Sequence, residues 1–218
     1  MTFQIVRTSC ALLAAVTLAG GLAACAPLVI GGGAVMSTLV ATDRRTAGSQ
    51  VEDEGIEFRT ASRIRETLGD NVHVNVTSYN RQVLLTGEVP AAADGQKVEQ
   101  IALGVENVRS VVNDLGVMPN STLSQRSNDT FITGKVRASL VDAKDLSANA
   151  FKVVTERNVV YLMGRVTERE AKRATEIARG VNGVRKVVRV FETISEEELS
   201  RAAVRQPAPV SQDPAAQQ

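Results

Sequence analysis

The apolar residues between positions 56 and 194 alternate between two spacings, and they do so twice in the same order. In the second stretch Ile132, Val136 and Leu140 fall at i, i+4 and i+8, one stripe of an amphipathic helix. Asn128 or Asp129 precedes that stripe as the expected N-cap. Residues 151–156 and 159–166 then alternate and are rich in β-branched side chains, with Arg157-Asn158 as the turn between two strands. Thr167 is placed to cap a helix over 168–179, with Glu170 at the capping-box position. A turn at 181–183 leads to a third strand over 184–191. The first stretch predicts a helix over 56–68, strands over 72–79 and 82–89, a helix over 92–103 and a strand over 108–117. The expected fold is α+β: two tandem units of order α-β-β-α-β, each a three-stranded sheet with two helices packed on one face.

Sequence blocks confirm the duplication. GVENVRSVVN (104–113) answers GVNGVRKVVR (180–189), VLLTGEV (83–89) answers VYLMGRV (160–166), and IRETL (64–68) answers VRASL (136–140). Matching blocks in one order at nearly constant offset define a repeat of roughly 60–70 residues. A longer loop over 142–150 accounts for the drift in offset. Two repeats are too few for a solenoid, so the units read as domains over 53–118 and 129–194 with a linker over 119–128.

The N-terminus carries a different signal. Arg7 precedes an uncharged run over 10–22, and Leu22-Ala23-Ala24-Cys25 closes it. A short basic region, an apolar region and small residues before a cleavage point describe a secretory signal. The four closing residues resemble a bacterial lipobox, which implies a signal peptide over 1–24 and Cys25 as the acylated mature N-terminus. Only a thiol serves as nucleophile in that modification. The run is short for a membrane span and is broken by Gly20 and Gly21. Ala26 after the cysteine resembles the outer-membrane sorting choice. Residues 25–52 then form anchor and linker, within which the apolar 28–41 either lies in the bilayer interface or acts as a greasy tether. With Cys10 removed, one cysteine remains and no intramolecular disulfide can form. At the other end, 195–205 is expected as a short helix, and Pro, Ala, Gln and Ser dominate the rest of a largely disordered tail ending at 218.

In the second repeat the blocks NDTFITGKVRASL, VYLMGRVTEREAKRA and GVNGVRKVV resemble the BON domain, known from bacterial periplasmic and osmotically induced proteins. Together with the lipobox and the TDRRTAGSQVEDE segment they resemble the dual BON-domain outer-membrane lipoproteins over nearly the whole mature chain. The first repeat departs more, with Ala91-Ala92-Ala93-Asp94 where a charged helix start is expected.

Catalysis is not expected. His73 is the only histidine and stands on the polar side of an alternating strand, an exposed structural position. No second His or Cys is present in the mature domains to build a metal site, so neither metal nor cofactor is expected. Gly31-Gly32-Gly33 follows the lipobox and not a strand, so it is no phosphate loop. The carboxylates Glu52-Asp53-Glu54 read as a solvated linker run. A net charge of +1 excludes a strongly basic nucleic-acid binder. That neutrality hides an asymmetry. Residues 53–118 hold six basic against ten acidic side chains, and 129–194 hold thirteen against eight. The basic repeat can meet anionic head groups, at on the order of 1 kcal/mol per Lys or Arg before salt screening. Otherwise the opposite charges draw the repeats together, or the basic face is only solvated.

Phe131 lies about 100° round its helix from the Ile132 stripe, and Lys135 follows it at i+4 on the same face. An aromatic ring beside a cation suits an interfacial wedge; the alternative is that Phe131 closes the core edge or packs on the other repeat. The BON resemblance implies that this helix binds anionic phospholipid, with Gly134, Arg137 and Ala138 on the same surface. It also implies a lipid-anchored protein on the periplasmic face of the outer membrane, supporting envelope integrity and enriched at the division site. The rivals are an adaptor for envelope or division proteins and a regulator of peptidoglycan hydrolases. Tyr161 and Met163 read as core or interdomain packing, and the oligomeric state is left open.

Overall fold

A computed structural model describes residues 43–205. The signal segment, Cys25, the apolar 28–41 and the tail beyond 205 lie outside the described residues. Both repeats have the expected order. In the first, α1 (Ala47–Leu68) leads to β1 (His73–Tyr79), β2 (Gln82–Val89), α2 (Ala92–Leu103), β3 (Ser110–Asn113) and β4 (Gly116–Val117). In the second, α3 (Leu123–Asp142) leads to β5 (Lys152–Glu156), β6 (Val159–Val166), α4 (Glu168–Gly180) and β7 (Lys186–Thr193). A terminal helix α5 (Glu196–Arg205) follows. In each sheet the first two strands pair antiparallel, and the third lies parallel to the second after crossing over through a helix.

The first helix of each repeat begins earlier than expected. Thr46 caps α1 by accepting from Ser49 N at 3.1 Å. Thr122 caps α3 through a capping box with Gln125. Residues 47–52 and 123–128, read as linker, are therefore helical. Asn128 and Asp129 are not N-caps. Asp129 sits within α3, buried, and its carboxylate accepts from Arg157 N and Asn158 N at 2.8 Å each. Asp53 does the same in the first repeat and is no solvated linker residue. It accepts from Ser78 Oγ (2.6 Å), Arg81 N (2.7 Å), Asn80 N (2.7 Å) and Arg45 Nη1 (2.8 Å). The turns it and Asp129 hold have both central residues at positive φ: Asn80 and Arg81 at 49° and 66°, Arg157 and Asn158 at 52° and 61°. Such two-residue turns match the twist of the flanking strands. A helix carboxylate that satisfies the turn amides thus ties the helix to the hairpin it covers.

The stripe Ile132, Val136, Leu140 packs with Val153, Val160, Leu162 and Ala174 in one core. Ile56, Ile64, Val83, Leu85 and Val98 form the other. A third cluster fills the opposite sheet faces: Tyr79 and Leu84 of the first repeat against Val159, Tyr161, Met163 and Val190 of the second. Tyr161 and Met163 are interdomain packing. The central strands β2 and β6 are covered on both faces, which is why they read as near-continuous apolar runs.

The expected strand over 108–117 is interrupted at Asp114-Leu115, which leaves the short β4 beside β2 and makes a four-stranded sheet. The Leu115 amide turns from β2 to Asn113 Oδ1 at 3.1 Å, and the second repeat contacts the break. Tyr161 donates its hydroxyl to Asp114 Oδ2 at 2.6 Å, and Arg157 donates to the carbonyls of Asp114 and Gly87 at 3.1 Å each. The Arg157 guanidinium occupies the space a side chain at Gly116 would need. Polar links surround the apolar layer: Lys152 pairs with Glu57 at 2.7 Å and Asn80 donates to Glu192 at 2.6 Å. Ahead of α1, Arg44 clamps Glu170 through two 2.7 Å bonds, and Arg45 stacks over the Tyr79 ring at 4.2 Å while pairing with Asp53.

Burial alone would raise the Asp53 carboxyl, but its donors hold it below the usual range. Its stabilising effect is therefore complete above its unfolded value near 4 and is lost as pH falls through its folded value. Asp53→Asn should cost roughly 2 kcal/mol in urea unfolding at pH 7, by removal of charge-assisted bonds, and the gap from wild type should narrow below about pH 4. A second test concerns the repeated glycine of the central strands. A Cβ at Gly87 would lie 2.0 Å from the His73 carbonyl oxygen, and one at Gly164 would lie 2.3 Å from that of Ala150. Alanine at Gly164 should cost about 1–3 kcal/mol by overpacking, and alanine at Gly87 more, because its φ of +113° is also lost to an L side chain.

Candidate functional site

Because the sheets face each other, the helices face outward. On α3 the buried row Asp129, Ile132, Val136, Leu140 fixes which residues point to solvent. Phe131 is 66% exposed, so it neither closes the core edge nor packs on the first repeat. The Lys135 ammonium lies 4.8 Å from the centre of its ring and donates to the carbonyl of Asn182. Gly134 and Ala138 are exposed beside them, and a Cβ at Gly134 would meet open space. Val141, also exposed, extends the row: ten residues on from Phe131, it lies about 80° round the helix. Residue spacing could have found it. Arg137 is exposed but lies about 120° round from Phe131, so it flanks the row instead of joining it.

Beside this row runs an open groove of about 590 Å³ between α3 and α4, bordered by Lys135, Ala138, Asp142, Arg173 and Ile177. Its rim carries both charge signs. At the start of α3, Leu123 is also exposed. The first repeat has no Phe at the position of Phe131. The buried rows match Asp53, Ile56, Thr60 and Ile64 to Asp129, Ile132, Val136 and Leu140, which corrects the IRETL–VRASL pairing by four residues. The position of Phe131 is then Gly55, and the exposed Phe58 corresponds to Gly134. No described helix is long and apolar enough to cross a membrane.

A second constellation lies between the repeats. His73 is not exposed. It is mostly buried, with Nδ1 2.8 Å from Glu88 Oε2 of the paired strand, at the margin of the layer between the sheets. Asn75, on the same side, donates to Glu156 Oε2 of β5 at 2.7 Å. Burial would raise Glu88, but the Ser121 amide and His73 hold it below the usual carboxylate range. Burial pushes Glu156 up, and the Glu88 charge adds to this against the Asn75 bond. Potential ligand atoms of His73, Glu88 and Glu156 all lie within 4.8 Å of one another, a grouping of side chains not expected from the sequence.

The chain matches the BON domain over residues 56–119 and again over 128–194. It is 38% identical over 169 residues to the outer membrane lipoprotein DolP of Haemophilus influenzae, covering 77% of this chain and 87% of that protein. It is 34% identical over 151 residues to a 21 kDa hemolysin of Actinobacillus pleuropneumoniae (68% and 78% covered) and 28% identical over 146 residues to the osmotically-inducible protein Y of Escherichia coli (64% and 72%). The α-β-β-α-β repeats and these matches make the chain a member of the BON-domain family, a dual BON-domain protein similar to DolP across both repeats.

Proposed function

We propose that this is a non-enzymatic, lipid-anchored protein of the bacterial envelope, held at the periplasmic face of the outer membrane by acylated Cys25. Its second BON domain docks on anionic phospholipid through Phe131, Lys135 and the adjoining Gly134 and Ala138, with Arg137 at the flank. The observation that supports this most is the Phe131 ring, free to solvent, with the Lys135 ammonium over it. A ring of that exposure enters the head-group boundary without rearranging the core, while the cation meets phosphate. Similarity to a protein named an outer membrane lipoprotein supports the location, and the role proposed with it is support of envelope integrity at the division site. The two-signal logic agrees: acyl chains fix position, and a weak second contact responds to lipid composition.

A protein-adaptor reading has one observation in its favour. Lys135 is already engaged by the Asn182 carbonyl, and the groove rim includes Asp142 and Glu176, a mixed surface that suits a protein partner. Vesicle co-sedimentation separates the two. Residues 43–205 should bind vesicles of phosphatidylcholine with phosphatidylglycerol more tightly than phosphatidylcholine alone, less so at high salt. Phe131→Glu should weaken that binding at least tenfold, the scale of removing one buried aromatic, while Phe58→Glu should leave it unchanged. Equal binding to both vesicles, or no loss with Phe131→Glu, removes the lipid mechanism.

A further inference from the structure

His73 and Glu88 are cross-strand partners on β1 and β2, and Glu156 reaches them from β5 of the other repeat. Both carboxylates are almost fully enclosed, Glu88 at 0% and Glu156 at 3% exposure. Among the described residues neither has a Lys or Arg partner. Glu88 Oε2 is shared by His73 and the amide of Ser121, and Glu156 Oε2 receives Asn75. Glu88 Oε1 is buried with no hydrogen-bond partner. Two enclosed carboxylates that share a single imidazole, one with an orphaned oxygen, are costly as they stand.

We propose that His73, Glu88 and Glu156 bind a divalent transition-metal ion, zinc by its ligand set, that bridges the two BON domains. A 2+ charge matches two carboxylates, one of them the Glu88 group whose Oε1 is orphaned. One imidazole with two carboxylates suits zinc, whereas magnesium and calcium favour all-oxygen shells. Ligands about 2.0–2.1 Å from a tetrahedral ion are about 3.3 Å apart. The His73 and Glu88 atoms stand at 2.8 Å, and the Glu156 oxygen is near enough that side-chain rotation closes the set. Ser121 Oγ, 3.5 Å from His73 Nδ1, or a water completes the shell. Because the ligands come from both repeats, the ion acts as a staple across the sheet-to-sheet layer.

The test uses the full chain in detergent micelles, with Cys10→Ser and Cys25→Ser so that thiolates do not compete, stripped of metal and titrated with Zn²⁺. His73 is the sole histidine, so its ring NMR resonances report the site without any substitution. Those resonances should shift and saturate at one equivalent, with a rise in melting temperature, and Co²⁺ should give visible d–d absorption. His73→Ala and Glu156→Gln should each weaken Zn²⁺ binding at least tenfold, while Mg²⁺ should produce no shift. Unmoved His73 resonances at saturating Zn²⁺ overturn the proposal. So does affinity unchanged in both variants, and an equal response to Mg²⁺ overturns the assignment to a transition metal.

Discussion

Tyr161 and Met163 packing against Tyr79 and Leu84 decides what every other surface of the described chain can do. Each sheet has helices on one face, and the open faces cover each other. Nothing apolar on β2 or β6 is left for water or for a ligand. Only the outer sides of the helices and the polar margin of the layer remain for function. The exposed Phe131 follows from the first consequence and the His73 cluster from the second. The margin also meets local irregularities: at the break after Asn113, Tyr161 and Arg157 of the neighbouring repeat bond the polar groups of Asp114.

The repeats keep what folding requires and diverge where it does not. Asp53 and Asp129 hold equivalent turns through equivalent amides, and Gly87 and Gly164 let equivalent strands approach. Outside, the repeats part company. The exposed aromatic of α1, Phe58, stands where α3 has Gly134, and the ring of α3 stands where α1 has Gly55. The charge difference is partly spent between the repeats, in Lys152 with Glu57, and partly left on the outer face of the second.

Much of this was legible in the chain because each element shows one dominant period. Ile132, Val136 and Leu140 are the buried row, Thr167 with Glu170 is a capping box, and Arg157-Asn158 is the turn. The misreadings share a cause. Asp53 and His73 read as solvent-facing and Asp129 as a possible N-cap, yet each bonds a group on another element of the fold. Local pattern reports how a residue sits in its own element and not what neighbouring elements bring to it. His73 keeps its place in the strand alternation, but Glu88 of the paired strand covers it while Asn75 on the same side stays exposed. Thr46 and Thr122 lay ahead of the apolar stripes, where helix continues without core contact and periodicity gives no signal.

Arg44 and Arg45 fasten one point of the chain to both repeats, Arg44 to Glu170 and Arg45 to Asp53 and Tyr79. Eighteen residues, 25–42, separate Cys25 from that fastening, and a chain of that length spans at most about 65 Å. If Cys25 is acylated as proposed, that segment is a leash and the described domains stay within its reach of the anchor. Any contact they make there is intramolecular in effect, at a local concentration on the millimolar scale set by leash length and not by cellular abundance. Removing the Arg44 and Arg45 clamps would lengthen the leash and dilute the domains from their own anchoring surface.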